Sequence, residues 1–401
     1  MNRTNYRIIL LCMVTSLYWF SLYAYVPTLP GYANSLGATH RMVGLILGSY
    51  GFIQMLLRIP LGILSDTINR RKPFVITGLV LAVISALGMR LFPSPASLLG
   101  FRALTGAAAA TWVTYAVLFS SYFPDEDAPR AIGYISAFNA VGQMAAMMLG
   151  GTAAHHLGRS APFTVAAVGG MVGLVLSLGV VEKKAERKPT PVSEFIALGG
   201  DRGLLLVSFL AVLLQLITFA TVYGFTPIAA ERIGAGDFEL GLLTTLSTLP
   251  RILAAALSGA LFSRLYGERR TIQWGFVALA LSCMTIPLIR TLPLLYLTQV
   301  AGGFASGVIF PLLMGLSIKT VADGKRATAM GFFQAIYGVG MFVGPVFVGY
   351  VSDVLNLAWG FWMVGLVGVA GALATGLLWE RGLAGSGDPL PGTTSPPGQS
   401  R

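Results

Sequence analysis

Residues 41–72 read RMVGLILGSYGFIQMLLRIPLGILSDTINRRK. Positions 41–64 form an apolar run long enough to cross the roughly 30 Å hydrocarbon layer of a bilayer as a helix. An aspartate and three consecutive basic residues follow within the next eight positions. The stretch therefore predicts a membrane-spanning helix that ends in a charged loop at the edge of the bilayer.

Eleven further runs of this kind occur along the chain. The 401 residues are 55% hydrophobic and 11% charged, whereas a soluble domain carries about 25% charged residues. The predicted spans are 7–29, 41–64, 73–92, 97–121, 131–155, 161–181, 204–228, 238–262, 271–291, 293–318, 327–350 and 357–379. This pattern excludes a soluble enzyme, a disordered chain and a disulfide-stapled secreted module, and it predicts an all-α integral membrane protein of twelve transmembrane helices.

The two halves of the sequence repeat each other. A shift of 197 residues superposes Pro30 on Pro227, Gly37 on Gly234, Gly44 on Gly241 and Gly62 on Gly259, and the later spans match at 196 to 198, with Gly106 on Gly302 and Arg130 on Arg326. We predict two six-helix bundles, 1–181 and 204–380, a cytoplasmic linker at 182–203 and a disordered cytoplasmic tail at 381–401. Parallel repeats of this kind are a transporter architecture with a substrate site between the halves.

The charged residues predict the orientation. The sequence has 27 Lys and Arg against 16 Asp and Glu, a net charge of +11. Loops on the side of the termini hold 19 of the 27 basic residues, the opposite loops hold 5, and 3 lie within spans. The positive-inside rule then places both termini in the cytoplasm and the protein in the cytoplasmic membrane. The basic balance is explained by topology, so we expect no nucleic-acid partner.

The charged loop after the second span predicts a gating contact. Gly62 permits close helix approach, and the carboxylate of Asp66 is near enough to pair with Arg70 or Arg71 across a tight turn. Breaking and remaking such a contact would favour one face of a rocking transporter. The alternative is a positively charged topology anchor that happens to include an aspartate.

This loop resembles the loop 2–3 signature of the major facilitator superfamily, Gly-x-Leu-x-Asp-(Arg)-x-Gly-Arg-(Arg/Lys). Thr67 replaces the first arginine of the signature and Asn69 replaces its second glycine. Asparagine tolerates a left-handed turn better than other non-glycine residues. The second half repeats the pattern weakly over 259–270, with Ser263 in place of the acid.

Two further patterns are similar to the same family. Span 4 begins LLGFRALTG at 98–106, which matches an intramembrane arginine followed by glycine. Span 5 carries a glycine-rich element at 142–151 without the proline of the exporters, and a Gly-Pro version stands at 344–349. The resemblance implies the twelve-helix fold of this superfamily and favours its drug and metabolite exporters, the drug:proton antiporter group.

Three arginines lie well inside the predicted spans, away from their ends: Arg58, Arg102 and Arg251. An arginine at a span centre costs about 2.5–3.5 kcal/mol on insertion scales, so it normally faces a cavity or a partner. For Arg102 and Arg251 we favour the cavity, with a bond to neighbouring carbonyls as the alternative. For Arg58 we favour a bond to Asp66 or to lipid headgroups, as part of the gating group. No acid lies in mid-span, so such a cavity would be electropositive and would favour an anionic or zwitterionic solute.

The remaining cavity candidates are aromatic and amide side chains within spans. They are Tyr18, Trp19, Trp112, Asn139, Gln143, Gln215, Gln334 and Tyr337. The aromatic members also fit a helix core or an interfacial belt. Cys12 and Cys283 fall in apolar runs and are expected to be buried thiols.

We therefore predict a secondary active transporter that moves a small organic solute by alternating access, as an exporter of an anionic or amphipathic metabolite or drug. Proton coupling, organic-anion uptake and a lipid-type flippase are alternatives, and a non-transporting membrane sensor is the rival class. The sequence carries no His-Glu-x-x-His pattern, no paired intramembrane carboxylates and no Walker A pattern, which argues against an enzyme or an ATP-driven pump. We expect a monomer without metal or cofactor.

Overall fold

A computed structural model describes residues 3–124, 127–182, 200–319, 321 and 326–383. Within these residues twelve helices are long and apolar enough to cross a membrane, and none of these residues forms a strand. The prediction of an all-α protein with twelve spans is confirmed. Most of the predicted linker 182–203 and tail 381–401 lies outside the described residues.

Six membrane helices make up the first half. They are α1 (Arg3–Tyr23), α2 (His40–Ile68), α3 (Lys72–Leu91), α4 (Pro95–Ala110 continued by Trp112–Ser120), α5 (Ala128–Leu157) and α6 (Ala161–Leu178). A short helix, Leu29–Ser35, lies between α1 and α2. The break in α4 falls at Thr111, whose hydroxyl donates to the carbonyl of Ala108 at 2.9 Å.

The second half repeats this order. Its helices are α7 (Arg202–Ala220, continued by Thr221–Phe225 and Thr226–Arg232), α8 (Asp237–Leu257, continued by Ser258–Phe262 and Ser263–Tyr266), α9 (Glu268–Thr285 and Ile286–Leu288), α10 (Leu292–Lys319), α11 (Arg326–Val354) and α12 (Leu357–Leu383). The segments Thr221–Phe225 and Ser258–Phe262 are single π-helical turns. Such turns insert a residue into an α-helix and often occur at functional sites.

Helix packing confirms the two-repeat organisation. A Cβ atom on Gly106 of α4 would collide with the carbonyl oxygen of Tyr50, and one on Gly303 of α10 would collide with that of Ser247. The two glycines are 197 residues apart, and so are their two partners. The sequence match of Gly106 to Gly302 is therefore one residue off, because Gly303 is the glycine that meets the neighbouring backbone. Gly302 is not in tight contact: a Cβ atom at this position would lie 3.7 Å from the nearest atom of another helix.

The ends of the helices define two sides of the protein. Near the start of α3, the Lys72 ammonium donates to the carbonyl of Leu178 at 2.7 Å, and beyond α4 the Tyr122 hydroxyl donates to that of Val181 at 2.6 Å. Twelve crossings bring the first and last described residues, 3 and 383, to this same side. We name it the terminus side, and the opposite one the far side.

Backbone contacts between the two halves lie towards the far side. Gly44 of α2 packs against the carbonyl of Pro345 in α11, and Gly241 of α8 packs against that of Met147 in α5. The two contacts are related by the repeat, since the glycines are 197 and their partners 198 residues apart. Glycine permits this close approach because it has no side chain to separate the helices.

A carboxylate of one half caps a helix of the other on the far side. Asp353, near the end of α11, accepts hydrogen bonds from the backbone N–H groups of His40 at 3.0 Å and Arg41 at 2.8 Å. Its Oδ1 atom also lies 3.2 Å from His40 Nδ1. These N–H groups have no partner within α2 and carry the positive end of the helix dipole, so the carboxylate stabilises this contact between the halves.

An ion-pair cluster joins the halves at a second place on the far side, where α5 packs against α8. Arg159, between α5 and α6, lies 2.9 Å from Glu231 Oε1 at the end of α7 and 3.3 Å from Asp237 Oδ1 at the start of α8. Towards the terminus side the packing is looser: a Cβ on Gly62 of α2 or on Gly259 of α8 would meet no atom within 4 Å. Among the described residues, the ion pairs between the halves thus lie at the far side.

A matched pair of glycine substitutions in α10 tests this packing. Gly303→Ala forces a methyl group against the Ser247 carbonyl, and overpacking of this kind costs about 1–3 kcal/mol. Gly315→Ala, in the same helix, meets open space and gains up to about 1 kcal/mol of helix propensity. We expect thermal unfolding in detergent to show a lower Tm for the first variant and an unchanged or higher Tm for the second. Equal Tm values would contradict the contact.

Candidate functional site

Aromatic side chains from both halves meet between α1, α4 and α7. The ring of Trp19 in α1 lies 5.4 Å from that of Trp112 in α4 and 5.6 Å from that of Tyr23. Tyr23 in turn lies 5.8 Å from Tyr223 of α7. These four residues, which we name the aromatic wall, form a continuous row of ring contacts across the interface between the halves.

The indole of Trp19 offers an unused hydrogen-bond donor in this wall. Trp19 is 5% exposed, and its Nε1 atom has no hydrogen-bond partner among the described residues. A buried indole N–H usually finds a partner because leaving the donor unpaired costs free energy. The free N–H therefore suits a polar group of a bound solute.

Arg251 places a cation beside the same wall. Its guanidinium carbon lies 5.8 Å from the ring centroid of Tyr223, and the side chain is half-buried in α8. Two hydroxyls that precede it in α8, Thr244 and Thr248, are buried and donate to carbonyls of their own helix. These hydroxyls are thus packed away, while Arg251 is partly accessible.

Arg102 lies deeper, inside the first half. It is 2% exposed, its guanidinium carbon lies 4.4 Å from the ring centroid of Tyr50, and its Nη1 atom is 3.5 Å from the Tyr25 hydroxyl. Its Nε atom has no partner in the described part of the chain. This arginine supports the tyrosines behind the site and contributes its charge through the protein interior.

Arg58 joins the two halves within the bilayer. Its Nη1 atom donates to the Tyr337 hydroxyl of α11 at 2.9 Å, and the side chain is 4% exposed. The expected bond from Arg58 to Asp66 is not the one found, since Asp66 pairs with Arg71. Tyr337 is packed against Phe310 and Phe333, with ring centroids 5.8 Å and 5.5 Å away.

All three arginines within the membrane rest on tyrosines. Among the described residues none of them forms an ion pair with a carboxylate. A tyrosine satisfies an arginine through its ring face and its hydroxyl oxygen while leaving the positive charge uncompensated. The protein interior therefore keeps a net positive charge that an anion would complement.

The other predicted candidates divide into packed and partly accessible residues. The Tyr18 hydroxyl donates to the Ala108 carbonyl at 2.5 Å, and its ring stacks on Tyr115, so Tyr18 is a packing residue. Gln143 donates to Asn139 of its own helix at 2.5 Å. Trp112, Gln215 and Gln334 are half-buried. The sequence analysis did not identify Tyr50. The signal was present, because Tyr50, Gln54 and Arg58 are spaced four residues apart and form one polar face of α2.

The charged loop after α2 has the expected turn. Asn69 adopts a left-handed conformation with φ 53°, and Arg71 forms an ion pair with Asp66. The guanidinium of Arg71 also donates to the Ser65 carbonyl, and its backbone N–H donates to Glu182 at the end of α6. Arg70 is exposed. The loop thus ties α2, α3 and α6 together on the terminus side.

Two six-helix repeats with an aromatic and cationic site between them define a membrane protein of the secondary-transporter class. The family comparison agrees: the model of the major facilitator superfamily matches residues 11–228 and again 207–396. The chain belongs to the major facilitator superfamily, whose members carry small solutes across membranes. It is a multi-pass plasma membrane protein.

Relatives and solved structures resemble most of the chain. It is 25% identical to the tetracycline resistance protein, class C, of Escherichia coli over 357 residues, which cover 85% of this chain and 88% of the relative. It is 24% identical to the inner membrane transport protein YajR of Escherichia coli over 368 residues, 86% of this chain and 76% of the relative. The crystal structure of the nucleoside transporter NupG shares the fold with a TM-score of 0.75 at 17% identity, covering 95% of this chain and all of that one.

Replacing Tyr337 by phenylalanine tests the Arg58 contact. The variant keeps the ring but removes the acceptor of a buried charged donor, and a hydrogen bond to a charged group contributes about 1.5–3 kcal/mol. We expect a lower Tm for Tyr337→Phe in detergent and little change for Tyr266→Phe, because Tyr266 is 59% exposed. A Tyr337→Phe variant as stable as the parent would show that the contact is unimportant.

Proposed function

We propose that this protein exports a small anionic or amphipathic aromatic solute across the cytoplasmic membrane by alternating access. The observation that carries the proposal is the partly accessible Arg251 guanidinium beside Tyr223, a member of the aromatic wall that also holds the free indole N–H of Trp19. Flat aromatic surfaces favour a planar apolar body, while the guanidinium and the N–H favour a carboxylate or another anionic group. Lipophilic cations are disfavoured because the described site offers no carboxylate.

Further support comes from the relatives and the charge distribution. The similar proteins include the tetracycline resistance proteins of classes C, G and H and the quinolone resistance protein NorA, and their names favour efflux. The positive-inside rule favours cytoplasmic termini. With that orientation the far-side contacts close the outer face, and the looser terminus side faces the cytoplasm, from which an exported solute would enter.

Ligand binding by the full-length protein tests the site directly. We expect 2-naphthoate to quench tryptophan fluorescence in a saturable manner and 2-naphthylmethylammonium, the matched cation, to bind more weakly. Arg251→Gln should weaken naphthoate binding by about tenfold or more, the loss of roughly 1.4 kcal/mol expected from one charge-assisted contact. Arg264→Gln, an exposed basic residue at the end of the same helix, serves as the control and should bind as the parent does. Preference for the ammonium ligand would contradict the proposal.

Coupling to protons is a separate part of the proposal. In proteoliposomes that contain the protein, the flux of 2-naphthoate should increase when a pH gradient is imposed. A protonophore, which dissipates the gradient, should abolish this increase. A flux that responds to the naphthoate gradient but is indifferent to the pH gradient would eliminate the antiport version and leave facilitated transport.

A further inference from the structure

The ion-pair cluster on the far side holds more negative than positive charge. Its cation, Arg159 of the first half, lies 2.9 Å from Glu231 Oε1 and 3.3 Å from Asp237 Oδ1. Both carboxylates belong to the second half, so closure of the far side brings two negative charges to one guanidinium. The Arg159 side chain is 40% exposed, against 21% for Glu231 and 16% for Asp237. Water therefore screens the attraction of Arg159 for the carboxylates, and part of their charge stays uncompensated.

The two carboxylates differ in their position on the helices. Asp237 lies in the first turn of α8, where the positive end of the helix dipole stabilises a negative charge. Glu231 lies in the last turn of α7, where the negative end of the dipole opposes a negative charge. The charge of Asp237 also acts on Glu231. Of the two carboxylates, Glu231 is therefore the better acceptor of a proton.

Closure of the far side also removes water from Glu231. Its carboxylate lies so close to Gly31 that a Cβ atom on this glycine would collide with it. Gly31 belongs to the short helix Leu29–Ser35 of the first half, which carries no charged residue. The adjacent Arg232 directs its guanidinium to His40, with Nη2 3.4 Å from Nε2. Burial against an uncharged helix penalises the charged form of a carboxylate more than its neutral form.

Asp237 contributes a buried oxygen that lacks a donor. Its Oδ1 atom forms no hydrogen bond within the described part of the chain, although Arg159 Nε lies at ion-pair distance. A buried acceptor without a donor costs free energy. Glu231 contacts the same guanidinium, so a proton on Glu231 would place a donor beside this acceptor and would remove one negative charge from the cluster.

We propose that Glu231 is a proton-binding site linked to closure of the far side. Glu231 takes up a proton when the two halves come together there and releases it when they part. Because the closed state holds the proton more strongly, acid favours closure, and this preference is lost as the pH rises. The direction of proton entry rests on the proposed orientation, in which the far side faces outwards. The site shares no residue with the aromatic wall, so it is testable without a solute, and its failure leaves the proposed solute site at Arg251 intact.

Distance measurements on the spin-labelled full-length protein in detergent test this linkage. Leu157→Cys and Leu355→Cys place labels at exposed far-side positions of the two halves, while the native thiols of Cys12 and Cys283 are buried. Without any solute, the population ratio of the short to the long label distance should rise about tenfold between pH 8 and pH 5, because the closed state binds one proton more tightly. A ratio that is constant over this range, or that falls in acid, would overturn the proposal.

A charge-matched pair of variants locates the proton. Glu231→Gln imitates the protonated side chain, so this variant should be mainly closed at pH 8 and should lose the pH response. Glu239→Gln removes the same charge from the first turn of α8, where the Glu239 carboxylate accepts from the backbone N–H of Gly236 at 3.0 Å. This control should respond to pH as the parent does. Equal responses of the two variants would contradict the assignment to Glu231.

Thermal unfolding and the histidines complete the test. Histidine titrates between pH 5 and 8, and His40, His155 and His156 lie on the far side. A full pH response that persists in Glu231→Gln would assign the effect to other groups and would reject the site. We also expect the Tm of Glu231→Gln at pH 8 to equal or exceed that of the parent, since the amide adds no uncompensated charge. A clearly lower Tm would show that the Glu231 charge stabilises the closed state, which is the opposite of the proposal.

Discussion

The close approach of α2 and α11 determines how the two halves meet. Gly44, Gly48 and Gly51 recur at spacings of four and three, which places them on one face of α2, and that face lies against the backbone of α11. In a bilayer there is little hydrophobic driving force between helices, so such backbone packing is a main source of association. The same approach brings Asp353 to the start of α2 and Tyr337 to Arg58. Larger residues at these glycines would separate all of these groups together.

Arginine burial is the second constraint, and the chain meets it with tyrosine. A carboxylate partner would neutralise the cation but would add its own desolvation cost and remove the attraction for an anionic solute. A tyrosine ring and hydroxyl satisfy the guanidinium while the charge remains. Arg58 and Arg102 are enclosed in this way and are tied to the scaffold, whereas Arg251 is partly accessible. The arrangement separates two enclosed arginines from a partly accessible one, a distinction that composition alone does not provide.

Hydropathy and the repeat were sufficient to predict the spans and the two halves, because these depend on local sequence or on a constant offset. The left-handed turn at Asn69 followed from the resemblance to the loop signature, in which this asparagine replaces a glycine. The partners of Arg58 and Arg102 were beyond such reasoning. The contact from Arg58 to Tyr337 joins residues 279 positions apart, and it depends on how α2 and α11 are rotated and on which side of the protein is closed. The π-helical turn at Thr221–Phe225 likewise inserts a residue that a pattern of apolar positions does not register.

The repeat preserves the backbone and changes the charges. Gly349 packs against the carbonyl of His40, and its counterpart Gly151 packs against that of Asp237, with the two glycines 198 and the two partners 197 residues apart. At the first crossing a carboxylate from α11 reaches the helix start, while at the second the helix start supplies the carboxylate and Arg159 supplies the cation. The two contacts thus share one backbone geometry, but the start of the helix accepts a carboxylate at the first contact and supplies one at the second. Because the backbone geometry is shared and the charges differ, each contact makes its own electrostatic contribution to holding the two halves together at the far side.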